Sequence, residues 1–159
     1  MKATTRSNVY LSMVAMILIA ALAVPAAAQQ VPFKGTFQGN DTINPPTITT
    51  AATGVGTHFG QLSLINVLTF LTSGPAGTGH WTAANGDRID STFVVSATPG
   101  DGVLNVTEFH TITGGTGRFS GAQGNFTVYR THILATPDGT THVTFGSFEG
   151  IITSPGAAH

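Results

Sequence analysis

The sequence predicts a single all-β domain that closes into a barrel, preceded by an N-terminal signal helix. Runs of β-branched and aromatic residues recur along the chain, separated by turns rich in Gly, Pro, Asn and Asp. Only 8% of the residues are charged, whereas exposed helices usually carry many Glu, Lys and Arg side chains. Most connections are too short for helical crossovers, which favours antiparallel pairing, and closure of the sheet would remove its exposed edges.

The first 28 residues have the organisation of a secretory signal peptide. Lys2 and Arg6 precede an uncharged, mostly apolar run over residues 9–24, and Ala26 and Ala28 fit the small-residue pattern of a cleavage site. The run is shorter than the roughly 20 residues of a membrane-spanning helix. We therefore expect cleavage after Ala28, no stable membrane insertion afterwards, and a secreted or periplasmic protein.

The remainder of the chain, residues 29–159, is predicted to form one domain, because no shift in composition marks a second one. It contains no cysteine, so packing and backbone pairing must stabilise it without disulfides. The whole chain holds seven acidic and six basic residues, and two of the basic ones belong to the leader. The mature domain is therefore acidic, and we expect no nucleic-acid partner, since phosphate backbones require a clustered positive surface.

The first half of this domain contains two predicted strand regions and one loop. Residues 33–38 alternate between aromatic or small and polar side chains, as in a half-buried strand. Residues 40–56 are rich in Asn, Pro, Thr, Ala and Gly, which predicts a long loop with a short edge strand at residues 47–51. Residues 57–72 are β-branched and aromatic and could form one long strand or two.

The sequence of the second half predicts consecutive hairpins. The dipeptide Asn85-Gly86, typical of type I′ turns, joins residues 80–84 to the next strand. The remaining strands are predicted over residues 88–97, 103–113, 125–135 and 141–152. A glycine-rich connection over residues 114–124 joins the second and third of these.

Residue parity in two neighbouring strands points to a cluster of ionisable side chains. Glu108 and His110 share one face of their strand, and Arg130 and His132 share one face of the next. The apolar residues on the same faces are Leu104, Val106, Ile112, Phe126, Val128 and Leu134. We interpret these faces as the barrel interior and the four ionisable residues as candidate ligand-binding residues, since buried charges are costly unless paired or hydrated.

Two other interpretations of the cluster stay open. A single bulge would reverse every side chain beyond it, which would turn the four residues into an ion-pair cluster on the surface. The same residues would also suit a hydrogen-bonded network with a purely structural role.

The segment GGTGRFSGAQG at residues 114–124 is the most distinctive stretch of the chain. It lacks the Gly-Lys-Ser/Thr ending and the βαβ setting of a phosphate-binding loop. We interpret it as a tight structural turn, because glycine permits positive φ and close backbone approach. The residues assigned to this turn are Gly114, Gly115, Gly117, Arg118, Gly121 and Gly124.

Residues 112–124 resemble the glycine-rich signature that joins two strands in the allene oxide cyclase-like and dirigent-like barrels. The resemblance extends over about residues 33–152 and implies an eight-stranded antiparallel barrel of the calycin type with a central cavity. Plant members of that family cyclise an epoxide fatty acid or steer the coupling of phenolic radicals. None of their catalytic motifs matches positions here, and the chain is more similar to bacterial exported relatives of undefined role.

No cofactor or metal site is predicted. The histidines are scattered, without metalloprotease or paired Cys/His spacing, and no G-x-S-x-G elbow of a serine hydrolase occurs. The histidines are His58, His80, His110, His132, His142 and His159.

Three functions remain compatible with the sequence, and an oligomer is compatible with each. The barrel could bind a small apolar or amphipathic molecule. It could be an isomerase or cyclase, with Glu108 or His110 as the acid/base and Arg130 holding an anionic group. It could also be a solid barrel with a structural or surface-interaction role, in which the predicted loop over residues 40–56 contacts the partner.

Overall fold

The computed structural model describes residues 29–134 and 139–153. These residues form a closed barrel of eight antiparallel strands, in which each strand pairs with the next and β8 returns to pair with β1. The strands are β1 (Gln30–Asn44), β2 (Thr47–Gly56), β3 (Gly60–Leu71), β4 (Gly74–Ala83), β5 (Arg88–Pro99), β6 (Val103–Gly115), β7 (Gln123–Ile133) and β8 (Thr141–Thr153). The predicted all-β fold, antiparallel pairing and barrel closure are confirmed.

The predicted signal peptide, residues 1–28, lies outside the described residues. Within the part of the chain that is described, no helix is long and apolar enough to cross a membrane.

The prediction of a long loop over residues 40–56 was wrong. β1 continues to Asn44 and β2 begins at Thr47, so that only Pro45 and Pro46 separate two fully paired strands. The polar composition of this segment suggested a loop, but many of its polar side chains, such as those of Asn40 and Thr42 on β1, are the solvent-facing residues of a strand. Alternation between outward and inward side chains, rather than overall polarity, marks this segment as strand. The uncertain stretch over residues 57–72 contains a short turn followed by the single strand β3.

Glycines at inward positions allow neighbouring strands to curl tightly against each other. A Cβ added at Gly54 would collide with the backbone of Thr36 and with Phe37 on β1. A Cβ added at Gly35 would collide with the Val55 carbonyl and the Phe148 ring. Large inward side chains thus fill the space that the glycines leave, as the taper of a small barrel requires.

Aromatic side chains close one end of the barrel. Phe59, from the turn between β2 and β3, packs on Phe119 with ring centroids 4.9 Å apart. Behind them, Phe33 contacts Phe126 and Phe148 at centroid distances of 5.0 and 4.9 Å. This apolar half of the barrel is filled by buried side chains.

The glycine-rich segment supplies part of that closure. It links β6 to β7 through a 3₁₀ turn over Gly117–Phe119, which inserts Phe119 into the core. Gly117 and Gly121 have φ values of +57° and +74°, in the left-handed region that favours glycine. Arg118 faces Asp87 at 3.5 Å and thereby ties the turn to the neighbouring β4–β5 connection.

The opposite end of the barrel, called the mouth here, is rimmed by apolar residues. Each has the inward parity of its strand, yet each is partly or largely exposed because the strands end there. The rim residues are Ile43, Ile48, Phe70, Val95, Leu104 and Leu134.

Candidate functional site

Strand register brings polar inward residues into one row beneath the mouth. Asp41 on β1 pairs with His142 on β8 and with Thr50 on β2. Thr50 pairs with Asn66 on β3, and the row continues through Gly79 on β4 to Ser91 on β5. This row, called the polar belt, extends from β8 through β1 to β5, is interrupted by Gly79, and ends at the apolar Ile112 on β6.

The structure places all four predicted site residues inside the barrel next to this belt. Glu108 and His110 on β6 are each 1% exposed, and Arg130 and His132 on β7 are 6% and 4% exposed. β6 and β7 pair as the predicted hairpin, with Val106 opposite Arg130. The inward assignment of these faces is confirmed, and the alternative of a surface ion-pair cluster is wrong.

Arg130 bridges two buried carboxylates. Its Nε donates to Glu108 Oε1 at 2.7 Å, and its Nη1 donates to Asp41 Oδ2 at 2.5 Å and to Thr144 Oγ1 at 3.2 Å. These bonds connect β7 to β6, β1 and β8. When its histidines are neutral, the cluster carries the positive charge of Arg130 and the negative charges of Asp41 and Glu108.

Asp41 joins Arg130 to the histidines nearest the mouth. His132 Nδ1 lies 2.5 Å from Asp41 Oδ2, and Thr50 Oγ1 donates to the other carboxylate oxygen at 2.5 Å. The His132 ring stacks on His142 with centroids 4.6 Å apart. His142 Nδ1 donates to the Ile133 carbonyl at 2.9 Å, which fixes the tautomer of that imidazole.

A second branch of the network runs from Glu108 through His110 to Ser91. His110 Nε2 lies 3.1 Å from Glu108 Oε2, and His110 Nδ1 lies 2.9 Å from Ser91 Oγ. An ionised carboxylate only accepts hydrogen bonds, so Nε2 carries the imidazole proton and Ser91 donates to Nδ1. The His110 ring is held between Phe93 and Phe126, at centroid distances of 4.6 and 4.5 Å.

The pKa values of this network favour ionised carboxylates and a neutral His110. Burial alone would raise the pKa of Asp41, but its bonds to His132 and Thr50 and the Arg130 charge together lower it. Burial would likewise raise the pKa of Glu108, and His110 and Arg130 outweigh that effect and lower it. Burial and the Arg130 charge together lower the pKa of His110 more than Glu108 raises it. Burial would lower the pKa of Arg130, but Glu108 and Asp41 raise it.

The sequence analysis did not assign six members of the network to the site: Asp41, Thr50, Asn66, Ser91, His142 and Thr144. Asp41 and Thr50 fell in the segment misinterpreted as a loop. Asn66 and Ser91 left a usable signal, because each interrupts a run of apolar residues of the same parity. Asn66 stands between Leu64 and Leu68 in such a run.

Two connected concavities lie on the outer wall of the barrel. One has a volume of about 1010 Å³ and extends across β1–β3 and β6–β8, and the other, of about 850 Å³, overlaps it at Thr36 and Val55. Hydroxyl and amide side chains dominate the larger one, together with the half-exposed rings of Tyr129 and Phe145.

Within residues 29–134 and 139–153, no group of three or more His, Asp or Glu side chains is arranged to hold a metal ion. Comparisons of the chain with models of protein families, with characterised proteins and with solved structures find no match.

Proposed function

We propose that this protein binds a small amphipathic molecule at the mouth of the barrel. The observation that carries the proposal is the apolar rim directly above a buried charged network. Phe70 and Leu134 have inward parity but are 56% and 47% exposed. Clustered apolar side chains left in solvent often mark a binding surface, and the polar residues below them would orient a head group.

The charge balance of the network restricts the charge that the head group of the proposed ligand can carry. Asp41 and Glu108 outnumber Arg130, and their lowered pKa values keep both ionised near neutral pH. A ligand carboxylate brought next to them would meet like charge, whereas an amine, amide or hydroxyl group could donate to the network. The proposed ligand therefore has a neutral or cationic head group on an apolar body.

The packing of the barrel limits how deeply such a ligand can enter. Phe33, Trp81 and Phe148 are at most 1% exposed and fill the aromatic half. The ligand would therefore lie along the rim residues, with its head group near His132 and His142.

The first experiment is native mass spectrometry with ligand extraction on the mature protein, starting at Gln29 and purified through its host's export pathway. The second is titration with a fluorescent alkylamine and a fatty acid of equal chain length. We expect saturable binding of the amine that exceeds binding of the acid. Absence of both a retained molecule and saturable binding of either probe would refute the proposal.

A matched pair of variants tests the position of the site. Phe70→Ala removes a rim residue that is 56% exposed, and Phe109→Ala removes an outward-facing residue that is 52% exposed. We expect Phe70→Ala to weaken binding of the amine at least fivefold and Phe109→Ala to leave it unchanged. Equal effects of the two substitutions would show that the probe does not bind at the mouth.

A surface-interaction role is the second candidate, and the outer concavity favours it. Tyr129 and Phe145 are 47% and 46% exposed beside that concavity. Native mass spectra and light scattering should then show an assembly that Tyr129→Ala weakens, while urea unfolding of the monomer stays unchanged. A monomer at all concentrations would remove self-association as the use of this face.

A further inference from the structure

The stacked imidazoles of His132 and His142 lie directly beneath the rim of the mouth. His132 pairs with the rim residue Leu104 in the register of β6 and β7. Leu134, another rim residue, follows His132 by two positions on β7 and shares its inward parity. The planes of the two imidazoles are inclined by only 23°. A head group that enters below the apolar rim therefore meets these rings before it can reach Arg130.

One nitrogen of each ring is already bonded to the protein in a fixed sense. His132 Nδ1 lies 2.5 Å from a carboxylate oxygen of Asp41, and His142 Nδ1 lies 2.9 Å from the backbone carbonyl of Ile133. An ionised carboxylate and a carbonyl only accept hydrogen bonds, so both Nδ1 atoms carry a proton. In a neutral imidazole the other nitrogen is then an acceptor. Each ring therefore offers a lone pair at Nε2.

Ring geometry directs these lone pairs away from the groups that hold the rings. The two nitrogens of an imidazole flank one carbon of a five-membered ring, so their outward directions are nearly opposite. His142 Nδ1 is directed at the backbone of β7, and His132 Nδ1 is directed at Asp41 on β1. The Nε2 lone pairs point away from these partners. To a ligand, the pair thus presents two acceptors and no N–H donor.

Given the binding function proposed above, we propose that the mouth selects a primary ammonium group, and that His132 and His142 determine this specificity. A primary ammonium carries three N–H donors, of which two can be donated to the two Nε2 atoms. Its positive charge is favoured because the carboxylates of Asp41 and Glu108 outnumber the guanidinium of Arg130. A quaternary ammonium has the charge without a donor, and an alcohol has one donor without the charge. The ligand class is therefore a long-chain primary amine.

Isothermal titration calorimetry at pH 7.5 tests the selection with three probes of equal chain length: decylamine, decyltrimethylammonium and decanol. We expect decylamine to bind at least tenfold more tightly than either of the others, because charge-assisted hydrogen bonds are the stronger ones. Binding of decyltrimethylammonium as tight as that of decylamine would overturn this inference and leave the proposed binding function standing. Absence of binding by all three probes would overturn both.

The Nε2 atoms can also be observed directly by NMR spectroscopy. Decylamine should shift the ¹⁵N resonances of Nε2 in His132 and His142 towards those of hydrogen-bonded nitrogen, whereas decyltrimethylammonium should leave them in place. Unchanged Nε2 resonances in the decylamine complex would show that the imidazoles do not receive the head group.

A matched pair of variants assigns the specificity to the stacked rings. His142→Phe keeps a ring to stack on His132 but removes the acceptor, and it should weaken binding of decylamine at least fivefold while binding of decyltrimethylammonium stays within twofold. His80→Phe is the control, because His80 is bonded to Asp90 through a side chain that is 50% exposed, and it should change neither affinity. An equal loss of both ligands in His142→Phe would show that His142 does not select the ammonium group.

Discussion

Replacing Arg130 with Met should destabilise the barrel more than any other single loss of charge among the described residues. The substitution removes the partner of Asp41 and Glu108, which are 0% and 1% exposed. Each carboxylate loses one charge-assisted hydrogen bond, worth about 1.5–3 kcal/mol. The sum agrees with the roughly 3–5 kcal/mol that breaking a buried ion pair costs.

Urea unfolding at pH 7.5, followed by Trp81 fluorescence and far-ultraviolet circular dichroism, measures this loss. Arg88→Met is the matched control, because Arg88 pairs with Asp90 through a side chain that is 43% exposed. An exposed pair of that kind contributes less than about 1 kcal/mol. Adding Glu108→Gln to Arg130→Met should restore part of the stability, because it removes one unpaired charge.

The pH dependence of the same variant gives an independent check. Without Arg130, burial is left as the main influence on Asp41 and Glu108, and their pKa values rise. Both groups then take up protons on mild acidification, so the deficit of Arg130→Met should shrink as the pH is lowered. A loss no larger than that of Arg88→Met, or one independent of pH, would contradict the bridged arrangement.

Three further perturbations probe the network and the packing. The wild-type protein should lose stability as the pH falls, because the pKa values of Asp41, Glu108 and His110 lie below their ordinary values of 3.8, 4.5 and 6.5. The stabilisation is complete above those ordinary pKa values and is lost as the pH falls through the pKa values of the folded protein. The loss amounts to about 1.4 kcal/mol per pH unit for each proton. A free energy of unfolding that stays constant from pH 7.5 to 3 would contradict this expectation. Gly54→Val should cost about 1–3 kcal/mol through overpacking against β1, whereas its exposed neighbour changed as Thr53→Val should cost little in the same urea assay. Phe119→Ala should cost about 3–5 kcal/mol and lower the melting temperature in calorimetry, and an unchanged melting temperature would show that Phe119 does not close the barrel.

Local sequence signals predicted the second half of the barrel well. Asn85-Gly86 specified a hairpin turn through its backbone preference, and alternation on β6 placed Glu108 and His110 on the buried face. The strands of the first half were harder to predict, because the amino-acid composition indicated a loop whereas the alternation of inward and outward residues indicated strands. Residues 40–44 read as polar, yet only alternate side chains meet solvent, and Pro45 and Pro46 occupy a turn rather than a loop.

The site was predicted only in part, because its assembly depends on register around a closed sheet. Glu108 and Arg130 lie on consecutive strands, so a hairpin suffices to bring them together. Asp41 contacts Arg130 only because β8 and β1 close the barrel. Barrel closure therefore contributes the second carboxylate. From the sequence, Arg130 was expected to hold an anionic group of a substrate, whereas in the structure it bridges the carboxylates of Glu108 and Asp41.

The internal bonding of the network also determines how a ligand can act on it. Arg130 cannot turn towards a ligand without leaving Asp41 or Glu108 unpaired, at a cost of several kcal/mol. A head group must therefore add to the network rather than replace one of its bonds, which favours contact at the stacked rings of His132 and His142. His132 bonds to Asp41, and Asp41 bonds to Arg130. A ligand donor bound beside His132 and His142 would therefore polarise these hydrogen bonds and affect the charges in the barrel interior. If the proposed ligand binds at the mouth, its binding should therefore be coupled to the stability of the barrel through Asp41.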